Sequence, residues 1–336
     1  MKKHAGLYLL LCLLMFAGVF SSLQAGSTTI NIEEIITFLF TPDSTQDNSN
    51  ILWKIRLPKT LTAIIVGAGL SVSGLLMQTL FRNPLASPSI LGVSSGASVG
   101  VAFVVLGFSQ KWTLIGHWSV VGAAITGACL YLLLIMSIAT QLRNAMGLLI
   151  VGMMLGSATS AVVGIWQYFS EPSQLQSYLI WTFGSLSLSS LEQWYILMGV
   201  VTFCLVISFF LAKTLNALLL GEEYAQSIGV SMQRARLIII LLTGIITGAI
   251  TAFCGPIAFV GIAVPHLARL ITQTTQHQVL TTTCVLTGAS LLLFCDALTH
   301  SFHTQYTLPI NAITSLMGAP MVIWIVLRKK ALGQVS

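Results

Sequence analysis

The sequence predicts an all-α integral membrane protein, a polytopic bundle of about ten transmembrane helices with short interfacial and coupling helices. Three observations support this fold class. Of the 336 residues, 55% are hydrophobic and only 7% are charged, whereas about a quarter of the residues of a soluble domain are charged. The apolar residues form blocks of about 20, the length a helix needs to cross a bilayer core. These blocks occupy nearly the whole chain, so residues 1–336 are predicted to form a single membrane domain.

Each block is apolar on all sides, and this pattern identifies the spans as helices. Lipid offers the backbone no hydrogen-bond partner, so only helices and closed barrels cross a membrane. Barrel strands alternate apolar and polar residues over about ten positions, and these blocks are about twice as long. The ten blocks are centred near Met15, Leu70, Val99, Ala128, Met154, Val206, Ile246, Val264, Ala289 and Ile323.

The lysines and arginines predict the orientation of the bundle. With the N-terminus in the cytoplasm, only Lys54, Arg56, Lys59 and Lys111 of the 15 basic residues fall on the outer side. Ten spans return the C-terminus to the cytoplasm, so both termini are predicted to be cytoplasmic. Alternatively, residues 7–20 belong to a signal peptide cleaved after Ala25. Cleavage would leave nine spans and an external C-terminus.

Four polar stretches separate the blocks, at residues 28–59, 170–194, 213–236 and 299–308. The third stretch is predicted to be cytoplasmic and the other three external. Residues 30–40 are predicted to form an interfacial helix. In the cytoplasmic stretch, LLLGEEYAQSIGV predicts a short helix that ends at Gly229, a glycine suited to the C′ position. Glu222 and Glu223 lie in its first turn, where the helix dipole stabilises negative charge.

Small residues and prolines predict how the spans pack. Prolines at Pro84, Pro88, Pro256 and Pro265 are predicted to interrupt helices at membrane depth. Irregular backbone is tolerated there only against protein or a water-filled path, which indicates a channel or transporter. Glycines that allow close helix contact are spaced along three blocks: Gly67, Gly69 and Gly74; Gly147, Gly152 and Gly156; Gly244 and Gly248.

Several motifs are absent from the sequence, and their absence excludes function classes. Asp296 is the one acidic residue near a span end, and no series of ionisable residues crosses a helix, which argues against a proton-driven carrier. There is no H-E-x-x-H metalloprotease motif and no G-x-x-x-x-G-K-[ST] phosphate loop. The six cysteines fall in apolar blocks without a C-x-x-C pair. We expect no catalytic residue, metal site or cofactor, and any ATPase must be a separate chain.

Four segments carry a family resemblance that runs, in order, over nearly the whole chain. They are RLPKTLTAIIVGAGLSVSGLLMQTLFRNPLASPSILGVSSGASVG at residues 56–100, WTFGSLS at 181–187, GEEYAQSIGVSMQRARLIIILLTGIITGAITAFCGPIAFVGIAVPHLARLI at 221–271 and LPINAITSLMGAP at 308–320. Together they resemble the FecCD-type permeases of ABC importers for iron-siderophores, haem and cobalamin. Two features depart from the family pattern. The usual Glu-Leu-Pro-Val-Gly before the last helix is Thr307-Leu308-Pro309-Ile310-Asn311 in this chain, and His300 stands where the family often has arginine.

The resemblance implies a permease of the bacterial inner membrane that works without an ATPase site of its own. The expected partners are a second copy of the chain, two cytoplasmic ATP-binding subunits and an extracytoplasmic substrate-binding protein, with substrate passing along the homodimer interface. The expected substrate is an iron chelate, siderophore or haem, with cobalamin as the alternative. From other classes, an ion-coupled secondary carrier and a channel-forming or structural role remain open.

The resemblance also implies three groups of site residues. Within a coupling segment at about residues 214–235, the ATPase contacts are Glu222, Glu223, Ser227 and Gly229. The cytoplasmic gate and path are Asn144, Ala145, Met146, Gly147 and Gly152, or else an ordinary turn. Arg56, Lys59 and His300 are expected to dock the binding protein, with His300 charged only at lower pH. The alternative for Arg56 and Lys59 is an anchor at lipid headgroups.

Overall fold

A computed structural model describes residues 4–26, 28, 30–41, 45–107, 117–142, 145–188, 190–300 and 307–331. Ten apolar helices in these ranges are α1 (Ala5–Gln24), α4 (Leu57–Leu80), α5 (Val93–Gly107), α6 (His117–Gln141), α7 (Ala145–Phe169), α9 (Leu191–Phe210), α12 (Met232–Cys254), α13 (Val260–Thr272), α14 (His277–Thr299) and α15 (Ile310–Ala331). Five shorter helices connect them: α2 (Ile32–Phe40), α3 (Asp47–Ile51), α8 (Pro172–Thr182), α10 (Ala212–Leu220) and α11 (Glu222–Ser227).

The ten apolar helices confirm the predicted all-α membrane fold. Seven are long and apolar enough to cross a membrane: α1, α4 with its N-terminal extension, α6, α7, α9, α12 and α14. The apolar parts of α5, α13 and α15 are shorter. Each of the ten predicted block centres lies in one of these helices. The helix predicted near residues 30–40 is also present, as α2, and it buries Ile35 and Phe38.

Helix α4 is the central element of the bundle. It continues from α3 through a π-helical turn at Leu52–Arg56, and nearly all of its residues from Thr60 onward are buried. It packs against α9, α12, α13 and α14. Its N-terminus lies near the end of α8 at one end of the bundle, which we call the α8 end, because Lys59 and Ile180 of α8 line the same cavity there. Its C-terminus lies beside α10 at the opposite end, the α11 end.

The first predicted interruption lies between α4 and α5. Arg82 has a backbone φ of +46°, and the chain then runs irregularly to a 3-10 turn at Pro88–Leu91. The side chain of Asn83 accepts a hydrogen bond from the Leu85 N–H, and Nε2 of His266 in α13 donates to the Pro84 carbonyl. Side chains thus satisfy backbone groups that the break leaves without helical partners.

The second interruption lies between α12 and α13. Gly255 and Phe259 both have positive φ, at +73° and +66°. The Ala258 N–H donates to Oδ1 of Asn311 at 3.1 Å, so the first turn of α15 satisfies this break. Helix α13 begins inside the bundle, because its Gly261 lies against Gly74 of α4 and against Pro88 in the other break. The first turn of α13 therefore meets the first irregular segment within the bundle.

The prediction that Pro265 interrupts a helix was wrong, because α13 continues through it. Pro265 is near the helix start, and it removes only the hydrogen bond that would run to the Gly261 carbonyl. That carbonyl oxygen faces Gly74 of α4 so closely that a Cβ at Gly74 would lie 1.8 Å from it. The backbone of α4 fills the space in front of this carbonyl.

Candidate functional site

The predicted coupling helix is α11, and it ends as the sequence indicated. Gly229 has φ +89°, and its N–H donates to the Gln226 carbonyl while the Val230 N–H donates to the Ala225 carbonyl. These two bonds form a Schellman motif with Gly229 at C′. No atom outside its immediate neighbours lies within 4 Å of a Cβ placed on Gly229. Its positive φ is therefore the only obstacle to a larger side chain.

Helix α11 is tied to the bundle through its first acidic residue. Nη2 of Arg236, in α12, lies 3.6 Å from Oε1 of Glu222, and its Nη1 donates to the Leu142 carbonyl at 2.7 Å. Arg236 thereby links α11 to the end of α6. A groove of about 820 Å3 lies between these elements and is bordered by Glu222 and Gly229. Glu223 and Ser227 are exposed on α11.

The predicted gate residues lie at the α11 end, at the start of α7. Asn144 is outside the described residues, and Ala145 begins the helix. Met146 is 48% exposed, and nothing lies within 4 Å of a Cβ placed on Gly147. Gly152, farther along the same helix, is buried. Met146 and Gly147 are thus partly uncovered on the described chain, and the assignment of the gate and path stays a prediction.

Arg56, predicted as a docking residue, is buried and bonded within the chain. It is 5% exposed, and its guanidinium donates to the carbonyls of Leu23, Gln24 and Thr28 and to the Thr28 hydroxyl. The Leu23 and Gln24 carbonyls belong to the last turn of α1, where helical partners are missing, and Thr28 follows that helix. Arg56 therefore stabilises the turn between α1 and α2. This structural role explains why an arginine occurs on the side predicted to be external.

Lys59 lies at the centre of a polar network at the α8 end. Its Nζ is 2.7 Å from Oδ1 of Asp296 in α14, and Oδ2 of Asp296 accepts from the Ser22 hydroxyl at 2.7 Å. The Ser22 hydroxyl is also 2.9 Å from that of Thr60. The network fastens α1, α4 and α14 together. Because Asp296 is buried, removing Lys59 alone would leave its charge without an ionic partner.

His300 completes this network from the C-terminal cap of α14. Its Nε2 lies 2.8 Å from Nζ of Lys59, so the imidazole accepts from the ammonium. Burial and the charges of Lys59 and Arg56 lower the pKa of His300, against the opposing effect of Asp296. His300 is therefore neutral at pH 7. Together with Lys59 and Asp296 it lines a cavity of about 300 Å3 that extends to Gly184 and Leu308.

The WTFGSLS motif and Asn311 form hydrogen bonds to the second interruption and to each other. Gly184 has φ +73°, and the next N–H, from Ser185, donates to the Cys254 carbonyl at 2.7 Å. The Asn311 N–H donates to the Phe183 carbonyl, and its side chain accepts from Ala258. Asn311 thus joins the end of α8, the break before α13 and the start of α15.

The sequence reasoning did not find the intramolecular partners of the predicted residues. In the sequence Asp296 is the one acidic residue near a span end, and its pairing with Lys59 joins positions that are 237 residues apart in the chain. One signal in the sequence could have indicated this pair. Asp296 and Lys59 are an acid and a base that are both predicted at the outer ends of spans. The structure brings Lys59 and His300 together, places Arg56 beside the α1–α2 turn, and places the coupling and gate groups together at the opposite end.

The comparisons with known proteins agree with this architecture. The model of the FecCD transport family matches residues 13–328. The vitamin B12 import system permease protein BtuC of Shigella flexneri is 36% identical over 322 residues, covering 95% of this chain and 94% of that protein. The hemin transport system permease protein HmuU of Yersinia pestis is 35% identical over 289 residues, covering 85% of this chain and 86% of that protein.

Solved structures give the same result. A metal-chelate type ABC transporter in an inward-facing conformation superposes with a TM-score of 0.85 at 30% identity, covering 96% of this chain and 99% of that chain. PsaBC from Streptococcus pneumoniae, at 18% identity and a TM-score of 0.58, is similar in fold alone. The family match, the relatives and the superposition all span most of the chain, so this protein belongs to the FecCD transport family and is a membrane permease of the ABC importer type.

Proposed function

We propose that this chain is the permease subunit of a binding-protein-dependent importer that moves a metal chelate across the bacterial inner membrane. The observation that carries the proposal is α11, a short helix held at one end of a family-typical bundle by a Schellman motif and by Arg236. Such an element offers a separate ATPase a rigid surface. Energy comes from that partner, and this chain contributes no covalent chemistry.

The ATPase contact lies on α11 and the residues after it. Tyr224 and Ile228 are 48% and 55% exposed there, beside exposed Glu223 and Ser227. Apolar side chains exposed next to acidic ones at a polar bundle end are typical of a partner surface. Two ATP-binding subunits would occupy the α11 ends of two permease copies. In this proposal the α11 end is cytoplasmic, because Lys213, Arg234 and Arg236 lie there, and we propose a cytoplasmic location for both chain termini.

In this proposal a second copy of the chain packs against α7. Helices α7 and α15 line the substrate path. Helix α7 exposes Ser157, Ser160 and Gly164, and nothing lies within 4 Å of a Cβ on Gly147 or Gly164. By contrast, Gly67 and Gly74 of α4 meet backbone atoms of their own subunit. Small and polar residues on a spanning helix favour close protein contact over lipid. Native mass spectrometry tests this, and a purely monomeric permease would contradict it.

The substrate proposed is an iron chelate, haem or a siderophore. The hemin permease relative and the metal-chelate type structural neighbour support this class. Cobalamin is the second candidate, because the vitamin B12 permease relatives match a longer share of the chain at similar identity. Both classes share one chemistry, a large organic chelate around a metal ion.

The binding protein docks on the α8 end in this proposal. Lys59 and His300 line a cavity at that end and are the contacts proposed from this chain. The guanidinium of Arg56 is occupied by backbone carbonyls, so Arg56 supports this surface from beneath. Exposed ion pairs contribute about 0–1 kcal/mol each, so docking needs several contacts together.

Uptake by the assembled importer tests the proposed function. The permease is reconstituted in vesicles with its cognate ATPase and binding protein, and radiolabelled haem, a ferric siderophore and cobalamin are supplied separately. We expect ATP-dependent uptake of an iron chelate. Uptake of cobalamin alone would select the second candidate, and uptake driven by an ion gradient without ATP would contradict the importer.

Replacing Gly229 tests the coupling assignment. We expect Gly229→Val to hydrolyse ATP without importing substrate, because a β-branched residue at positive φ is strained by roughly 1–3 kcal/mol and α11 loses its end. Gly229→Asn is the matched control, since asparagine tolerates this region, and it should remain coupled. Normal ATP-driven import by Gly229→Val would show that the shape of α11 is irrelevant to coupling.

Two variants separate docking by Lys59 from its structural role. Asp296→Asn keeps the Lys59 charge, whereas Lys59→Met with Asp296→Asn removes both charges and leaves no buried carboxylate unpaired. We expect the double variant to bind the binding protein up to about fivefold more weakly than the single variant, most clearly at low salt. Equal affinities of the two variants at low ionic strength would mean that Lys59 acts only within the bundle.

A further inference from the structure

Helix α10, which leads into the coupling helix, is bonded to the first residue of α14. Oδ1 of Asn216 accepts a hydrogen bond from the His277 backbone N–H at 2.9 Å and lies 2.8 Å from Nδ1 of the same imidazole. His277 is the first residue of α14, where backbone N–H groups have no helical partner. A side chain from another helix therefore caps α14.

The imidazole passes this connection on to α4. Because Oδ1 of Asn216 already accepts from the backbone of His277, the ring nitrogen Nδ1 carries the proton and donates to the same oxygen. Nε2 is then the acceptor, and the Thr79 hydroxyl in α4 lies 2.8 Å from it and 2.8 Å from the Leu75 carbonyl, so its one proton is shared between these two acceptors. Asn216, His277 and Thr79 form one hydrogen-bonded series across three helices, which we call the α10 relay.

Burial makes this series stiff. His277 and Thr79 are each 1% exposed, so water does not replace a bond that is lost there. A buried polar group left without its partner costs about 1–3 kcal/mol. The series consequently favours one arrangement of α10, α4 and α14 and opposes independent movement of α10.

A second bond ties α10 to the first interruption. Nη2 of Arg82, the residue with φ +46° that begins the irregular segment after α4, donates to the Leu218 carbonyl of α10 at 3.0 Å. The Arg82 N–H in turn donates to the Thr79 carbonyl. Helix α10, the end of α4 and the start of α14 are thus joined in a closed circuit.

Only Gly221 separates α10 from α11. A displacement of α11 by the ATPase therefore reaches α10 directly, and the circuit carries it to α4, to α14 and to the segment after Arg82. We propose that the α10 relay transmits movement of the coupling helix into the membrane, with Asn216 and His277 as positioning residues for transport. This inference rests on the proposed function and names the residues that connect its coupling site to the path.

The test measures ATP hydrolysed per substrate molecule imported by the full reconstituted importer. Asn216→Leu removes the acceptor at similar volume, and Asn216→Asp keeps an oxygen in the same place as the conservative variant. We expect Asn216→Leu to co-purify with the ATPase and to hydrolyse ATP, while its ratio of hydrolysis to import rises roughly fivefold or more. Asn216→Asp should stay near the wild-type ratio.

A double variant distinguishes a relay from two independent defects. If Asn216 and His277 act in one series, Asn216→Leu with His277→Leu should be no worse than either single change. An unchanged ratio in Asn216→Leu, or a fall in import fully accounted for by loss of assembled complex, would overturn the relay. If the wild type itself shows no ATP-dependent import, the proposed function fails and the relay falls with it.

Discussion

The backbone of a membrane protein must satisfy its own hydrogen bonds, and two irregular segments inside this bundle make that requirement demanding. Each unpaired N–H or C=O in lipid costs several kcal/mol. The chain meets the requirement with side chains from distant helices: His266 bonds the Pro84 carbonyl, and Asn311 accepts from the Ala258 N–H. The positions of α13 and α15 follow from these bonds.

The backbones of α4 and α13 are also in close contact. Gly261 lies close to both Gly74 and Pro88, so the first turn of α13 packs against α4 and against the break after α4. The centre of the bundle is therefore a backbone-to-backbone contact without intervening side chains. Two of the polar networks lie at the opposite ends, with Lys59 and Asp296 at one end and Arg236, His277 and Arg82 at the other.

The sequence predicted the elements well because their signals are local. Long apolar blocks predict spans, and the glycine after a short acidic helix predicts a C′ position; Gly229 has φ +89° there. Predictions about single side chains fared differently, because they depend on partners far away in the chain. The partners of Arg56 are carbonyls at Leu23, Gln24 and Thr28, and no residue type signals a free carbonyl. Pro265 continues a helix because Gly74, 191 positions earlier, leaves room for the Gly261 carbonyl.

The central claim is that contact between α4 and the first turn of α13 fixes the membrane domain. Thermal unfolding of the purified permease in detergent, with Gly74→Ala against Gly199→Ala, tests it most directly. A Cβ at Gly74 would meet the Gly261 carbonyl at 1.8 Å, whereas one at Gly199 of α9 meets nothing within 4 Å. We predict that Gly74→Ala lowers the unfolding midpoint, at a cost of about 1–3 kcal/mol or more, and that Gly199→Ala leaves it unchanged or raises it. Equal midpoints for Gly74→Ala and the wild type would contradict the account.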